Sequence, residues 1–389
     1  LSQRTALIVG AGIGGLSAGI ALRRAGWHVQ IVERTASLRE LGFALLLVPN
    51  AIAALRALGL ADVVLSRGFA PKLGELRRMD GSVVKRAEFP PPEALGGPTI
   101  VTLRSALHGA LADAVGADAI RLNCEAVNFT ARADRVTLHT TSGDVDGHFL
   151  VGADGVASAV RRLLHPDEPN PRTSGIVAVR GAVHGVVHHL GDLSGIYYLG
   201  PGVEAFLARA SETGIYWALS LAREIVPEGM RDPAAVLAHM TPRLDSTFHA
   251  VTSKTEDMRC DELVDRDPLP FWGRGPVTLL GDAAHPVLPH TGQGAAQAIV
   301  DAVTLANALN GTSDVSPALR RYEDDRRRKT AALLAQGRRT ARVMKMRNPI
   351  GCYMREVAVR MVPVKPLVKV FARINRRAGT AIDDRHQHF

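Results

Sequence analysis

The 389-residue sequence predicts an α/β protein in which a parallel-sheet domain is interrupted by a strand-rich insertion and followed by C-terminal helices. Three observations predict it. An apolar run at 5–9 leads through a glycine-rich turn into a helical pattern at 15–25 and a second apolar run at 29–33, which makes one βαβ unit. Between residues 171 and 265 the pattern changes to short alternating segments separated by turn signals. At 276–280 a buried-strand pattern returns and is again followed by glycine. The parallel-sheet domain is therefore expected over 1–170 and 266–345, with the insertion at 171–265 and a helical tail at 346–389.

Each element has its own signal. After the βαβ unit, Pro49-Asn50 opens a helical pattern through Ile52, Leu55 and Leu58 that ends at Gly59. Residues 81–98 are rich in proline and glycine and read as a connection. A helix is expected over 102–115, and strands at 126–129 and 136–140. The insertion offers strands at 175–183, 195–199, 205–208 and 215–221. A helix follows the glycines near 292 and runs to Leu309, and basic residues alternate with apolar ones at helical spacing beyond it.

Composition excludes several classes. With 46% apolar residues the chain is not disordered, and no apolar run reaches the roughly 18 residues of a membrane span. Cys124, Cys260 and Cys352 are far apart and form no CxxC, against both a disulfide framework and a metal site. No leader is read ahead of the first strand, so a cytoplasmic location is expected. Of the +9 net charge, 19 basic against 6 acidic residues lie from Arg320 onward, leaving 28 basic and 32 acidic before it. The basicity is that of solvated helix faces; neither nucleic acid nor a membrane surface is an expected partner.

The chemistry starts at Gly10-Ala-Gly12-Ile-Gly14-Gly15, which follows a strand and opens a helix. The first glycine allows the tight turn, the second lets a pyrophosphate approach the backbone, and the last lets helix and strand pack. Glu33, at the end of the next strand, can accept the hydroxyls of an adenosine ribose. This pattern predicts a bound dinucleotide without choosing FAD or NAD(P). Two later motifs choose. Gly152-Ala-Asp154-Gly155 ends an apolar strand and leads to Ser158 and Arg161. Gly281-Asp282-Ala-Ala-His285-Pro286 ends another, and is followed by Pro289-His-Thr-Gly292-Gln-Gly294-Ala295. An aspartate aimed at a helix N-terminus suits a hydroxyl-rich ribityl chain. A second N-terminus near Gly292 can meet the flavin edge that carries negative charge when reduced.

These motifs, with Arg104, resemble those of the single-component class A flavoprotein monooxygenases of the para-hydroxybenzoate hydroxylase fold, whose Rossmann-like FAD-binding domain is of the GR2 type. The resemblance covers residues 5 to about 330. It implies that Glu33 binds the ribose, Arg104 the phosphates or ribityl chain and Asp282 the ribityl hydroxyls. Asp154 serves FAD and NAD(P)H use, and Gly292 and Gly294 line the isoalloxazine. Arg34, Val127, Pro289 and Ala295 join the candidate FAD contacts. Gly42-Phe43-Ala44-Leu45 matches the segment beside the flavin, although Phe43 and Ala44 stand where smaller residues are common. The implied reaction uses NADH or NADPH to reduce the flavin and O2 to form a C4a-hydroperoxide, which passes one oxygen atom to an aromatic or polycyclic molecule, such as a phenol, quinolone or tetracycline-like compound. Rival readings are a reductase or halogenase of the same fold, or a non-catalytic FAD-binding redox sensor. The halogenase Trp-x-Trp-x-Ile-Pro signature is absent, Tyr216-Trp-Ala-Leu-Ser220 being the nearest stretch. The segment 347–377 resembles tails that pack on the flavin domain in some members.

Other residues are weighed on their own chemistry. Gly200-Pro-Gly202-Val-Glu-Ala205 satisfies a second dinucleotide pattern, but Pro-Gly reads as a β-turn. His184, His188 and His189 lack the helical context and glutamate of a zinc pair and read as surface residues, so no metal is expected. His290 lies in the loop that should face the flavin and is the candidate base for a phenolic substrate. Phe43, Tyr198, Phe206 and Trp217 are candidate pocket walls.

Overall fold

The computed structural model describes residues 4–38 and 43–361. Its centre is a five-stranded parallel sheet in the order Val277–Leu279, Phe149–Gly152, Thr5–Val9, His28–Val32, Ile120–Arg121. Residues of this sheet are buried on both faces, by helices such as Ile13–Arg24 on one and by the three-stranded sheet Ala126–Ala131, Val136–Thr140, Gly143–Gly147 on the other, which is why the strands read as unbroken apolar runs. Thr5–Val9 lies in the middle, in parallel register with His28–Val32 and with Phe149–Gly152. The return of the chain at Val277–Leu279 completes that sheet beside Phe149–Gly152, so the nucleotide-type sheet is built from distant parts of the sequence.

The insertion supplies most of a seven-stranded sheet ordered Met258–Asp265, Arg172–His184, Gly214–Ala222, Val203–Arg209, Gly195–Gly200, Leu73–Arg78, Val83–Glu88. The last two strands correct the reading of 81–98 as a connection. Val83–Glu88 is an edge strand whose side chains alternate between solvent and the sheet, and the turn at Gly81 joins it to Leu73–Arg78, which pairs in parallel with Gly195–Gly200. Helices Pro233–Met240 and Ser246–Thr252 cover one face of this sheet with Val236, Met240, Phe248 and Val251. Pro201-Gly202 forms the turn between two of its strands, as the Pro-Gly signal predicts. His184, His188 and His189 are exposed.

The 30-residue helix Val315–Met344 runs from the parallel sheet to the seven-stranded one. Helix Pro349–Met361 follows and corrects the expected placement of the tail. Within the described residues it packs on the seven-stranded sheet, where Glu356 pairs with Arg78, Lys85 reaches the Val359 carbonyl at 3.2 Å and Arg355 reaches the Gly200 carbonyl at 2.9 Å. The rest of the tail lies outside the described residues. Among those described, no helix is long and apolar enough to cross a membrane.

Candidate active site

Strands Thr5–Val9, Phe149–Gly152 and Val277–Leu279 end at one cleft of about 300 Å³. It takes in Gly10, Gly12, Gly14, Glu33 and Arg34 from the first βαβ unit, then Arg104, Asp154 and Asp282, and finally Gly294 and Ala295. The chain turns sharply enough to do this because Gly10 holds φ +100° and because a Cβ on Gly15 would stand 1.9 Å from the Gly10 carbonyl oxygen. At Gly12 a side chain would meet nothing within 4 Å, so the cleft comes right up to the backbone there.

Two helices begin at this cleft without a side-chain cap. Gly12 precedes Ile13–Arg24 and Gln293 precedes Gly294–Leu309, and neither cap position offers an acceptor to the first-turn N–H groups. Those donors and their dipoles are left for an anionic ligand. Asp154 accepts from the Ala159 N–H at 2.6 Å through Oδ2, while its Oδ1 is buried without a partner among the described residues. Burial lifts its carboxyl above the usual range. Asp282 sits in the turn Gly281–Ala283 with its side chain open to the cleft; the enclosing protein lifts its carboxyl against the pull of His285 and Arg104. Uncapped amides, an arginine and two polyol-accepting carboxylates fit FAD.

The other cofactor candidates fall as follows. Glu33 lines the cleft and also braces its floor: one carboxylate oxygen accepts from the Ala11 N–H at 2.8 Å, the other from Thr35 at 3.0 Å. Val127 lies beside the cleft on strand Ala126–Ala131. Its side chain is 59% exposed, at a bulge where the pairing steps from Ala126 to Asn128, and it is Ala126 that lines the cleft. Pro289 opens a single turn through Thr291, closed by the Gly292 N–H on the Pro289 carbonyl at 2.8 Å. Gly292 faces Leu46. Gly42 lies outside the described residues.

Three supports were not legible from spacing. His108, buried on helix Arg104–Val115, reaches the Ala11 carbonyl at 2.8 Å and so pins the fingerprint turn. Arg161 donates to the Ala283 and Ala284 carbonyls at 2.9 and 3.0 Å, tying the two aspartate motifs together. Asp301 is a buried hub. Its Oδ2 accepts from the Gly281 N–H at 3.0 Å and meets His285 Nε2 at 2.6 Å, and its Oδ1 accepts from Arg326 Nε at 2.6 Å. Burial alone would raise this carboxyl; His285 and Arg326 override it and hold it down at about 2.

Next to the Gly292 loop, the second face of the seven-stranded sheet carries an aromatic cluster. Phe206, Tyr216, Ala210 and Ala218 meet Phe43, Ala44, Val101 and Leu103 there. The Phe206 and Tyr216 rings lie 5.4 Å apart and Phe43 meets Tyr216 at 6.4 Å. Phe206 and Phe43, both candidate pocket walls, belong to this cluster. Tyr198 and Trp217 do not: both are buried on the opposite face, with the Tyr198 hydroxyl on Asp245 at 2.7 Å and Trp217 Nε1 on Thr255 at 2.8 Å, so their role is core packing. Their chain neighbours Tyr197 and Tyr216 face the cluster instead, Tyr197 stacking on Phe206. His290 is 3% exposed at its side chain and places Nδ1 3.3 Å from Glu204 Oε2, with Nε2 buried and without a partner among the described residues.

A glycine turn, two uncapped helix N-termini and paired aspartates around one cleft, beside an aromatic cluster, define a flavin-dependent oxidoreductase. The chain belongs to the family described as FAD binding domain, whose profile matches residues 3–336. Among its relatives, the aurachin C monooxygenase/isomerase of Stigmatella aurantiaca is 34% identical over 92% of this chain and 94% of its own. The 3-hydroxybenzoate 6-hydroxylase 1 of Aquipseudomonas alcaligenes is also 34% identical, over 85% of this chain and 87% of its own. The fold is that of Klebsiella pneumoniae HpxO, solved with FAD and uric acid, with a TM-score of 0.89 at 24% identity over 96% of this chain and 97% of that one. The protein is an FAD-dependent monooxygenase, with NAD(P)H as reductant and O2 as oxidant. When bound, FAD supplies the redox and oxygen-transfer chemistry.

Proposed function

We propose that the protein hydroxylates a small aromatic or polycyclic molecule bearing an ionisable hydroxyl, held at the aromatic cluster between the Gly292 loop and the seven-stranded sheet. The observation that carries this reading is the aromatic lining by Phe43, Phe206 and Tyr216 directly beside that loop. Flat apolar walls favour a flat ring and exclude water from the reacting centre. The relatives' names point the same way: one acts on 3-hydroxybenzoate, and HpxO was solved with uric acid.

In this reading the FAD is held by the Gly10–Gly15 turn, Glu33, Arg34, Arg104, Asp154, Asp282 and the amides from Gly292 to Ala295. His290 acts as the base. Glu204 beside Nδ1 favours the tautomer that carries its proton there, which leaves Nε2 as the acceptor for a substrate proton. Removing that proton puts electron density into the ring at the moment an electrophilic oxygen attacks it.

The test is NAD(P)H oxidation by the yellow holoenzyme with a panel of phenols, hydroxyquinolines and polycyclic phenols, followed by mass spectrometry under ¹⁸O2. At least one ring compound is expected to speed NAD(P)H consumption and gain a single ¹⁸O. Consumption that no ring accelerates, together with no oxygenated product, would falsify the reading. His290→Asn is expected to lower kcat roughly 10²-fold or more for rings bearing a hydroxyl while leaving FAD content unchanged. An unchanged kcat removes His290 from the base role.

A further inference from the structure

We infer that helix Pro349–Met361 docks the protein on an anionic phospholipid surface. Successive residues of an α-helix turn by about 100°, so Ile350, Tyr353, Met354, Val357 and Met361 fall within one arc of about 100°. Val357 is half-buried, and Ile350, Tyr353, Met354 and Met361 are each 65–74% exposed. The opposite arc fastens the helix to the protein. Glu356 pairs with Arg78, Arg355 donates to the Gly200 carbonyl at 2.9 Å, and the Cys352 thiol donates to the Met346 carbonyl at 3.3 Å. A surface helix ordinarily turns its apolar stripe inward and its charges outward. This one is held by polar groups and turns its stripe outward. Single exposed apolar side chains need no partner, whereas a contiguous stripe marks a contact surface.

Charge decides what covers the stripe. Residues 326–382 include 16 basic residues and one acidic residue, Glu356, which is already taken by Arg78. Arg360 borders the stripe, and Arg339, Arg342 and Arg347 lie at the adjoining end of the preceding helix, where Arg355 reaches the Val343 carbonyl at 3.2 Å. These four arginines are exposed and have no ion pair among the described residues. A second copy of the chain would bring the same positive rim against itself. The sequence at 362–382 carries the same sign, with five basic residues and no acidic one, so it does not neutralise the rim either. Nucleic acid would pair with the arginines and leave the stripe in water. An anionic bilayer surface satisfies both, because the apolar side chains enter the boundary between headgroups and acyl chains while the arginines extend to the phosphates. At 13 residues the helix is too short to cross a bilayer, so it lies along the surface. The basicity of this segment thus serves more than solvated helix faces, since it rims an apolar stripe that composition does not show.

The experiment sediments full-length holoenzyme with vesicles of phosphatidylcholine alone, or of phosphatidylcholine with about 30% phosphatidylglycerol, at about 50 mM and about 300 mM salt. Binding to the anionic vesicles is expected to be roughly tenfold or more tighter than to the neutral ones, and to weaken severalfold at the higher salt. Tyr353→Ser combined with Met354→Gln, both at exposed positions, should lower affinity for the anionic vesicles roughly tenfold while FAD content and melting temperature stay as in the parent. Arg342→Glu combined with Arg360→Glu should remove the preference for anionic over neutral vesicles. Light scattering without vesicles should give the same mass for the parent and the Tyr353→Ser, Met354→Gln variant. Three results overturn the assignment. No vesicle binding by the parent means that the stripe is covered within the chain, and unchanged binding by the Tyr353→Ser, Met354→Gln variant means that another segment makes the contact. A parent dimer that this variant dissociates means that a second copy covers the stripe. None of these measurements involves turnover, so the monooxygenase reading stands or falls separately.

Discussion

Asp154 keeps one carboxylate oxygen buried without a partner among the described residues, and its charged form is penalised by burial. Its folded pKa is raised, so ionisation weakens the FAD-free protein as pH rises from the ordinary carboxylate range through the raised value. Asp154→Asn keeps an oxygen for the Ala159 N–H and removes the charge. The FAD-free variant should melt roughly 1–3 °C higher than the parent at pH 7.5, with the gain shrinking as pH falls and Asp154 takes up its proton. FAD retention should fall in the same variant. Equal melting temperatures across that range would show that the orphaned oxygen stores no strain. At this scale the cofactor motifs were legible because the turn, the aspartates and the glycines act through backbone placed within a few residues of them. The pocket walls were legible only up to parity. In a strand, adjacent side chains point to opposite faces, and the sequence pairs Tyr197 with Tyr198 and Tyr216 with Trp217. Composition marks these positions as aromatic; only the pairing register shows that Tyr197 and Tyr216 meet Phe206, while Tyr198 and Trp217 enter the core.

Helix Gly294–Leu309 does two jobs through one side chain. Its N-terminus faces the cleft, and a turn or two further along Asp301 holds the Gly281 amide and His285 of the facing motif while pairing with Arg326 of the following helix. Asp301→Asn leaves Arg326 charged and buried with a weakened partner, a loss of about 3–5 kcal/mol. The turn that carries Asp282 should loosen with it, so the variant is expected to purify with substoichiometric FAD and to melt well below the parent. Replacing both members, Asp301→Leu with Arg326→Met, should recover part of the melting temperature but not the FAD content, because Gly281 and His285 still lack their acceptor. Full recovery of FAD in the double variant would reduce Asp301 to a structural counterion. Asp301 has a depressed pKa, so its contribution is complete above the usual carboxylate range and is lost as pH falls from about 4 towards 2. None of this was legible in the sequence, since Gly281, His285, Asp301 and Arg326 are joined only by tertiary contact. Strand Val83–Glu88 escaped for a different reason: as an edge strand rich in charged residues, its alternation is faint and its flanking glycines and prolines dominate.

Across the whole molecule, the cofactor cleft and the aromatic cluster are held in register by helix Val315–Met344, whose 30 residues span about 45 Å. Near its start Arg320 donates to the Gly273 and Val277 carbonyls at 2.6 and 2.9 Å, and Arg326 reaches Asp301. Near its end Arg338 grips Asp265 and Asp267, both at 2.7 Å, and Lys345 reaches the Ser174 carbonyl at 2.5 Å. The helix is thus fixed to the parallel sheet at one end and to the seven-stranded sheet at the other. Oxygen transfer depends on a substrate ring staying within reach of the flavin and shielded from water, so a change in sheet position of the order of 1 Å lowers rate and coupling together. Arg338→Ala cuts the far attachment without touching either site. It is expected to leave FAD content unchanged, to raise KM for the ring substrate severalfold and to increase the fraction of NAD(P)H consumed that ends as hydrogen peroxide instead of oxygenated product. Measuring peroxide and product against NAD(P)H in one assay separates this from simple destabilisation, which lowers active enzyme but leaves the coupling ratio alone. A variant that is less stable yet fully coupled would mean that the aromatic cluster holds its position over the cofactor without the helix.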